Sequence, residues 1–300
     1  MSAAFYTAAF ASAGASPPSA MGWHGHLTLN YRHEAPRTVV HDRHDGPLRV
    51  LASLHPEGPG VCHNVLVHPP GGIVGGDRLD IAVHVGPQAH ALITTPGATR
   101  FYRSAGETAE QHLVARVAAQ ARLEWLPLET MAYNGTRAIN HLRFELAPGA
   151  EMMGWDVLAL GLPASEQSFV QGRFEQQIEL PGLWLERGIL DAAHPHTRQL
   201  LASPLGWDGQ CVLATMWWAA GQALDRPRRE RLIDAARHCV EDSALLRDHS
   251  GVTSPDERLI VLRALAPRTE PALALLKSTW SAWRAIGWQL EACPPRVWNT

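Results

Sequence analysis

Hydrophobic and polar positions alternate over short stretches from about residue 23 to residue 220, and Gly, Pro, Asn and Asp separate these stretches. In the clearest stretch, Leu79, Ile81 and Val83 are apolar, while Asp80 and His84 are polar. Successive side chains of a β-strand point to opposite faces, so this pattern predicts a strand with one buried face. Similar patterns predict strands at 61–68, 89–95, 112–117, 122–126, 141–146, 152–160, 169–180 and 211–217.

The connections between these strands indicate the fold class. Turn signals such as Gly-Pro at 86–87 and Pro-Gly at 148–149 separate the strands. No helical stretch of about 10–15 residues lies between them, as a βαβ fold would require. The pattern therefore predicts a mainly β protein and leaves a sandwich, a barrel and a solenoid open.

The pattern changes after about residue 220, where apolar residues recur at helical spacing. Leu232 and Ala236 share one face of a first stretch, and Leu276, Trp280 and Trp283 share one face of a second. The sequence thus predicts a helix within 225–249, a strand at 259–265 and a helix from Thr269 to Gly287.

The first 20 residues are rich in Ala and Ser, and no Lys or Arg precedes Arg32. A secretory signal needs positive charge at its start, so we interpret residues 1–20 as a disordered leader. We expect residues 21–300 to form a single domain, strand-rich from 21 to 220 and helix-containing from 221 to 300. No run reaches the ~18 apolar residues of a membrane span, so no membrane association is predicted.

Composition narrows the class of protein. The chain has 300 residues, of which 46% are hydrophobic, which is enough for a large core. Its net charge of -3 gives no basic surface for nucleic acid. Four distant cysteines, Cys62, Cys211, Cys239 and Cys293, form no Cys-x-x-Cys pair, so reduced thiols in a cytoplasm are the simplest interpretation.

A glycine-rich segment at 69–77 reads Pro-Pro-Gly-Gly-Ile-Val-Gly-Gly-Asp. A phosphate-binding loop would end in Gly-Lys-Ser/Thr and lead into a helix, whereas Asp77 leads into a strand. We therefore favour a tight backbone crossing that only glycine can make, with Asp77 capping a turn.

A second polar segment follows at 94–103 and combines threonines, a Pro-Gly pair, aromatic residues and arginines. Its Thr and Arg side chains could line a polar channel or bind an anion. An exposed hairpin tip with a basic rim is the alternative that the residues alone favour.

The 16 histidines are scattered, and only two pairs have His-x-His spacing. In an extended segment, His24 and His26, or His194 and His196, would each point to one face and could bind Ni, Cu or Zn. An ordinary polar loop is the interpretation that we favour for both pairs.

Two acidic residues lie in apolar surroundings. Asp156 follows Met-Met-Gly-Trp, and Glu186 follows Leu-Trp-Leu. A buried carboxylate must be paired, hydrogen-bonded or in contact with water. Either Glu186 pairs with an arginine and Asp156 caps a turn, or both residues line a polar cavity; the sequence alone favours neither.

Taken together, several segments resemble the UreD/UreH family of urease accessory proteins, from Trp23 to Thr300. The matching stretches are 68–77, 96–103, 123–127, 154–161 and 292–298. The resemblance implies a right-handed β-helix-like scaffold with two helices in the C-terminal region. It also implies a protein that is not an enzyme and holds no tightly bound cofactor.

The resemblance implies partners and a site as well. Such proteins bind apo-urease and the accessory protein UreF, which recruits the GTPase UreG, and they offer a polar passage for transient Ni²⁺. By resemblance, Asp77, Thr99, Asp156 and Glu186 match polar positions of that passage. Carboxylate and hydroxyl oxygens suit an ion that must move on, whereas a closed His/Cys site would trap it. The pair His194 and His196 is not part of the resemblance.

Two other classes of protein compete with this interpretation. A metal-dependent hydrolase on a β scaffold would need three convergent ligands, and no GxSxG, Cys/His or HExxH pattern supports an enzyme. A purely adhesive scaffold without a passage would fit the same pattern.

Overall fold

The computed structural model describes residues 22–162, 165 and 167–299, so the predicted leader at 1–20 lies outside the described residues. Strands dominate, as the alternating pattern predicts. In chain order they are β1 (His24–Glu34), β2 (Arg37–Asp45), β3 (Arg49–Leu54), β4 (Val61–Val67), β5 (Arg78–Val85), β6 (His90–Thr94), β7 (Thr99–Phe101), β8 (Ala109–Val117), β9 (Arg122–Leu126), β10 (Thr130–Ala132), β11 (Arg137–Leu146), β12 (Glu151–Leu160), β13 (Arg173–Leu180), β14 (Trp184–Asp191), β15 (Val212–Ala220), β16 (Ser250–Asp256) and β17 (Leu259–Ala266).

The strands coil into a β-solenoid of about four turns, which confirms the β-helix-like prediction. The first sheet has the order β14-β13-β11-β8-β5-β1-β2, and the second has the order β16-β17-β15-β12-β9-β6-β4-β3. Along the solenoid the strands of each sheet are parallel, because the chain alternates between the two sheets at every turn. The short strands β7 and β10 form a narrow third face with the end of β12.

Among the described residues, three α-helices accompany the strands: α1 (Pro195–Ala202), α2 (Arg226–Asp242) and α3 (Thr269–Trp283). The sequence predicts α2 and α3, whereas α1 is a helix that the sequence pattern did not predict. None of the helices in the described ranges combines the length and the apolar character that crossing a lipid bilayer requires.

Two hydrophobic cores result from the strand period of two. On β12, Met152 and Leu158 point into the core between the two sheets, where Phe144 and Phe174 also lie. Met153 and the other alternate residues point to the opposite face of the second sheet, where α2 and α3 cover them. Residues 156 and 176 therefore lie on strand positions that face the solenoid interior.

Glycines allow the crossing at 69–77 that the sequence predicts. Gly76 has a φ of +92°, a backbone conformation that favours glycine. A Cβ on Gly72 would lie 2.1 Å from the Tyr102 ring, so the close approach of the ring requires glycine there. Asp77 closes the segment by accepting hydrogen bonds from the backbone N–H of Val74 and of Trp23.

Candidate functional site

The candidate site is a cavity of about 230 Å³ between the two sheets. Its outer end is formed by the loops at 66–73 and 95–100, where Gly71 and Pro96 are exposed. Its inner end reaches Asn140 and Asp156, which are buried. The cavity therefore connects the surface with the interior of the solenoid.

The segment at 94–103 lies at this outer end and is not a hairpin. Strand β6 pairs with β4 and β9, whereas β7 pairs with β10, so the Pro-Gly turn carries the chain from one solenoid face to the next. Thr99 and Arg100 line the cavity, and Arg100 donates a hydrogen bond to the Gly71 carbonyl. The hairpin interpretation is wrong because β6 and β7 do not pair with each other. Each of them pairs with strands from neighbouring coils of the solenoid.

Asp156 is 6% exposed and lines the inner end of the cavity. It does not cap a turn, because it lies in the middle of β12 and faces inward. Burial raises its pKa to about 7, the nearby Glu186 adds to the increase, and the Gln176 amide opposes it. The described part of the chain offers this carboxyl group no cationic partner. The carboxyl group of Asp156 therefore changes its charge near neutral pH.

A row of amides crosses the solenoid interior beside Asp156. Gln111, Asn140 and Gln176 occupy directly paired positions on β8, β11 and β13. Gln111 donates to Asn140 Oδ1 at 3.0 Å, and Asn140 donates to Gln176 Oε1 at 3.1 Å. Nε2 of Gln176 is buried and makes no hydrogen bond within the row; its interaction with Asp156 is the one that opposes the rise in the pKa of that carboxyl group. The row supplies uncharged oxygen and nitrogen atoms where apolar side chains are expected.

Glu186 lies beyond Asp156, on β14 at the edge of the first sheet. Its Oε1 accepts a hydrogen bond from Thr215 at 3.1 Å, and its Oε2 accepts from Nε of Arg263 at 2.8 Å. Thr215 is the strand partner of Asp156, so the two carboxylates lie on neighbouring parts of one polar zone. Both sequence alternatives for Glu186 thus hold in part, because it is paired with an arginine and it adjoins a polar cavity.

The four residues taken from the resemblance occupy different places. Thr99 and Asp156 line the cavity, and Glu186 lies next to its inner end. Asp77 is absent from the described lining, because both of its carboxylate oxygens accept backbone hydrogen bonds in the glycine-rich turn. His68 does line the outer end, and burial lowers its pKa, although Asp77 opposes the shift.

Sequence reasoning missed the amide row and Arg263. Asn140 could have been found from the alternating pattern, because it is the polar exception among Ala138, Leu142 and Phe144 on the apolar face of β11. No local signal identifies Arg263, whose partner Glu186 is far away in the sequence.

A second buried polar network lies between the second sheet and the C-terminal helices. Glu124 is fully buried; its Oε1 lies 2.7 Å from His90 Nε2, and its Oε2 accepts from Trp280 Nε1 at 2.5 Å. Arg284 Nε lies 3.4 Å from the same Oε2, and Arg284 Nη2 donates to Glu57 at 2.6 Å. Burial alone would raise the pKa of Glu57, but hydrogen bonds from its partners outweigh it and lower the pKa. This network fastens α3 and its C-terminal end to the second sheet.

The two His-x-His pairs do not form metal centres. His24 Nε2 lies 2.5 Å from Asp80 Oδ2 on the outer face of the first sheet. His194 is the N-cap of α1 and accepts from the backbone N–H of His196. Across residues 22–162, 165 and 167–299, no group of three or more His, Cys, Asp or Glu side chains could hold a metal ion.

Comparisons with known proteins show which family this chain resembles. The family model described as UreD urease accessory protein matches residues 24–299. A protein of Leptothrix cholodnii named urease accessory protein UreD is 58% identical over 282 residues, covering 93% of this chain and all of the relative. Proteins of the same name from Albidiferax ferrireducens and Variovorax paradoxus are 57% and 55% identical, with 93% of this chain and 99% and 100% of the relatives covered.

Proposed function

The chain belongs to the UreD family of urease accessory proteins, and we propose that it is a scaffold for nickel delivery to urease, without enzymatic activity of its own. Family membership supports a role in urease maturation. The finer role has three parts: binding of apo-urease, binding of UreF with the GTPase UreG, and transfer of Ni²⁺ through the solenoid interior.

The cavity that ends at Asp156 is the observation that carries the passage. It reaches from exposed loops to a buried carboxyl group that has no cationic partner in the described residues. Thr99 at the outer end and the amide of Asn140 at the inner end add neutral oxygen ligands. A site with few oxygen ligands binds Ni²⁺ weakly enough to release it, as delivery requires. Asp77 does not line the passage; it stabilises the glycine-rich turn that shapes the outer end of the cavity.

The hydrolase alternative receives no support from a specific observation. A catalytic metal site would need about three convergent protein ligands. The described residues contain no such group. We also propose a cytoplasmic location, which the free thiols of all four cysteines support.

The test is urease activity and urease nickel content in cells that carry a urease operon. Deletion of this gene should give inactive urease without nickel, and the wild-type gene should restore both. The double variant Asp156→Ala, Glu186→Ala should restore neither, although complexes with apo-urease and UreF still form.

Glu175→Gln provides a matched control. Glu175 is also a buried carboxylate of the first sheet, but it faces outward and pairs with Arg187 at 3.0 Å. This variant should restore activity fully. Active, nickel-loaded urease in the deletion strain would refute the accessory role, and full rescue by the double variant would refute the passage.

A further inference from the structure

Arg263 neutralises the charge of Glu186 and holds its carboxylate in place next to the inner end of the cavity. Its Nε and Nη2 both donate to Oε2 of Glu186, while Thr215 donates to Oε1. Both carboxylate oxygens of Glu186 are therefore engaged. The guanidinium group also lies 6.0 Å from the centre of the Trp184 ring, within the range of a cation–π contact.

Asp156 differs from Glu186 in its partners. It is directly paired with Thr215 on the neighbouring strand, and Thr215 is directly paired with Arg263 on the next. The three residues form one row on the inner face of the second sheet. The cationic group of that row contacts Glu186 and leaves the buried carboxyl group of Asp156 without a counter-ion in the described structure.

We propose that Arg263 competes with the transported cation for Glu186 and thereby prevents the end of the passage from trapping that cation. The inference rests on the proposed passage and names the residue that governs release from it. A divalent cation shared by Asp156 and Glu186 would be held by two carboxylates. With Arg263 in place, only one carboxylate is free, and the returning guanidinium displaces the ion from the other.

The exposure of the two partners suits this exchange. The side chain of Arg263 is 49% exposed, whereas that of Glu186 is 18% exposed. The arginine side chain can therefore move into solvent while the solenoid core stays packed. Arginine also remains charged at every physiological pH, so it competes for Glu186 at all times.

The test measures Ni²⁺ binding to the purified full-length chain by isothermal titration calorimetry at pH 8, where Asp156 is charged. Arg263→Gln should bind Ni²⁺ about tenfold more tightly than the wild type, the effect of roughly one pKa unit of charge interaction. Arg263→Lys, which keeps the charge, should stay close to the wild type.

The gain should depend on Glu186. In the double variant Arg263→Gln, Glu186→Gln, affinity for Ni²⁺ should return to that of Glu186→Gln alone. Surface histidines that also bind Ni²⁺ are the same in both variants, so their contribution does not affect this comparison. Arg187→Gln is the matched control, because Arg187 lies on the same strand as Glu186 and pairs with Glu175 on the outward face of the first sheet, away from the cavity. It should leave affinity unchanged.

Two results would overturn the proposal: an Arg263→Gln affinity within twofold of the wild type, or a gain that persists without Glu186. In the urease operon, Arg263→Gln should assemble complexes normally but activate urease several-fold more slowly. If urease is active in the absence of the whole gene, the proposed function fails, while the binding comparison still decides the role of Arg263. If the gene is required but Arg263→Gln matches the wild type in binding and activation, only the release role fails.

Discussion

Three consecutive residues, Gly154, Trp155 and Asp156, show how each position of β12 meets a separate demand. A Cβ on Gly154 would lie 2.3 Å from the Trp217 ring, so glycine leaves room for that indole in the solenoid core. Trp155 points to the opposite face, where its ring centre lies 5.3 Å from that of Trp298. Asp156 points inward again, to the cavity. The motif thus combines packing on two faces of the sheet with one polar side chain that lines the cavity.

The raised pKa of Asp156 predicts a pH-dependent stability. Asp156 has a pKa of about 7 in the folded protein, so it keeps its proton up to about that pH, whereas the unfolded chain releases this proton near the ordinary aspartate pKa of 3.8. The folded state binds more protons between these values, so stability should fall as pH rises from about 4 to 7. We expect Asp156→Asn to lack this dependence and to exceed the wild type by about 2–4 kcal/mol at pH 8.

Urea denaturation of both proteins at pH 5 and pH 8 measures this difference. At pH 5, where wild-type Asp156 is neutral when folded, the difference should shrink to about 1–2 kcal/mol. An equal pH dependence in the two proteins would show that Asp156 is ionised in the folded state at pH 5.

At the level of elements, sequence patterns predict those segments whose own residues carry the signal. Helices α2 and α3 were predictable because each buries an apolar stripe. Helix α1 buries only Thr197, so the sequence carries no helical period there. Strand β14 was missed because Glu186 and Gly188 interrupt its inward-facing apolar positions. Contacts between residues far apart in the sequence, such as the ion pair of Glu186 with Arg263, could not be predicted because they form only in the folded chain.

The attachment of α3 to the second sheet depends on Arg284, which is fully buried directly after the helix. Arg284→Met would leave the buried Glu124 and the partly buried Glu57 without their shared cation. Breaking a buried ion pair from one side costs about 3–5 kcal/mol. We expect a loss of this size in urea denaturation, together with a changed near-ultraviolet signal from Trp280, whose ring the guanidinium group covers.

Arg226→Met is the control for this variant. Arg226 lies on α2 and pairs with Glu230, but its side chain is 80% exposed. Its replacement should leave the denaturation midpoint unchanged, because exposed pairs contribute little to stability. An equally small effect of Arg284→Met would show that packing alone holds the helix on the sheet.

At the level of the whole molecule, the solenoid assigns different roles to its two sheets. The second sheet is covered by helices on its outer face, and the first sheet carries charged pairs such as Arg143 with Glu179 on its outer face. Alternate residues of the strands in both sheets point into the space between the sheets. The proposed passage would therefore run through a space that the coil as a whole forms and that no single loop defines.

The amide row gives a test of that view. Asn140→Leu would restore the apolar pattern of β11 but remove the hydrogen bonds to Gln111 and Gln176. Because a buried polar group without a partner costs about 1–3 kcal/mol and the two remaining amides are partly buried, we expect a modest loss of stability with the fold retained. Nickel content of urease should fall several-fold, since the polar lining is interrupted at the cavity.

Leu142→Met, at the next inward position of the same strand, is the control and should leave nickel content unchanged. Normal nickel content with Asn140→Leu would show that the row is structural and that cations do not pass it.

The pairing of Gln111, Asn140 and Gln176 across successive turns also bears on how such a chain can change its length during evolution. One extra residue inside β11 would turn every following side chain to the opposite face, bringing a charged residue such as Arg143 into the apolar core. Residues added at the corners between strands leave that register intact. Natural length variation in this chain should therefore concentrate at the solenoid corners, and a duplication that preserves the interior must add a complete turn.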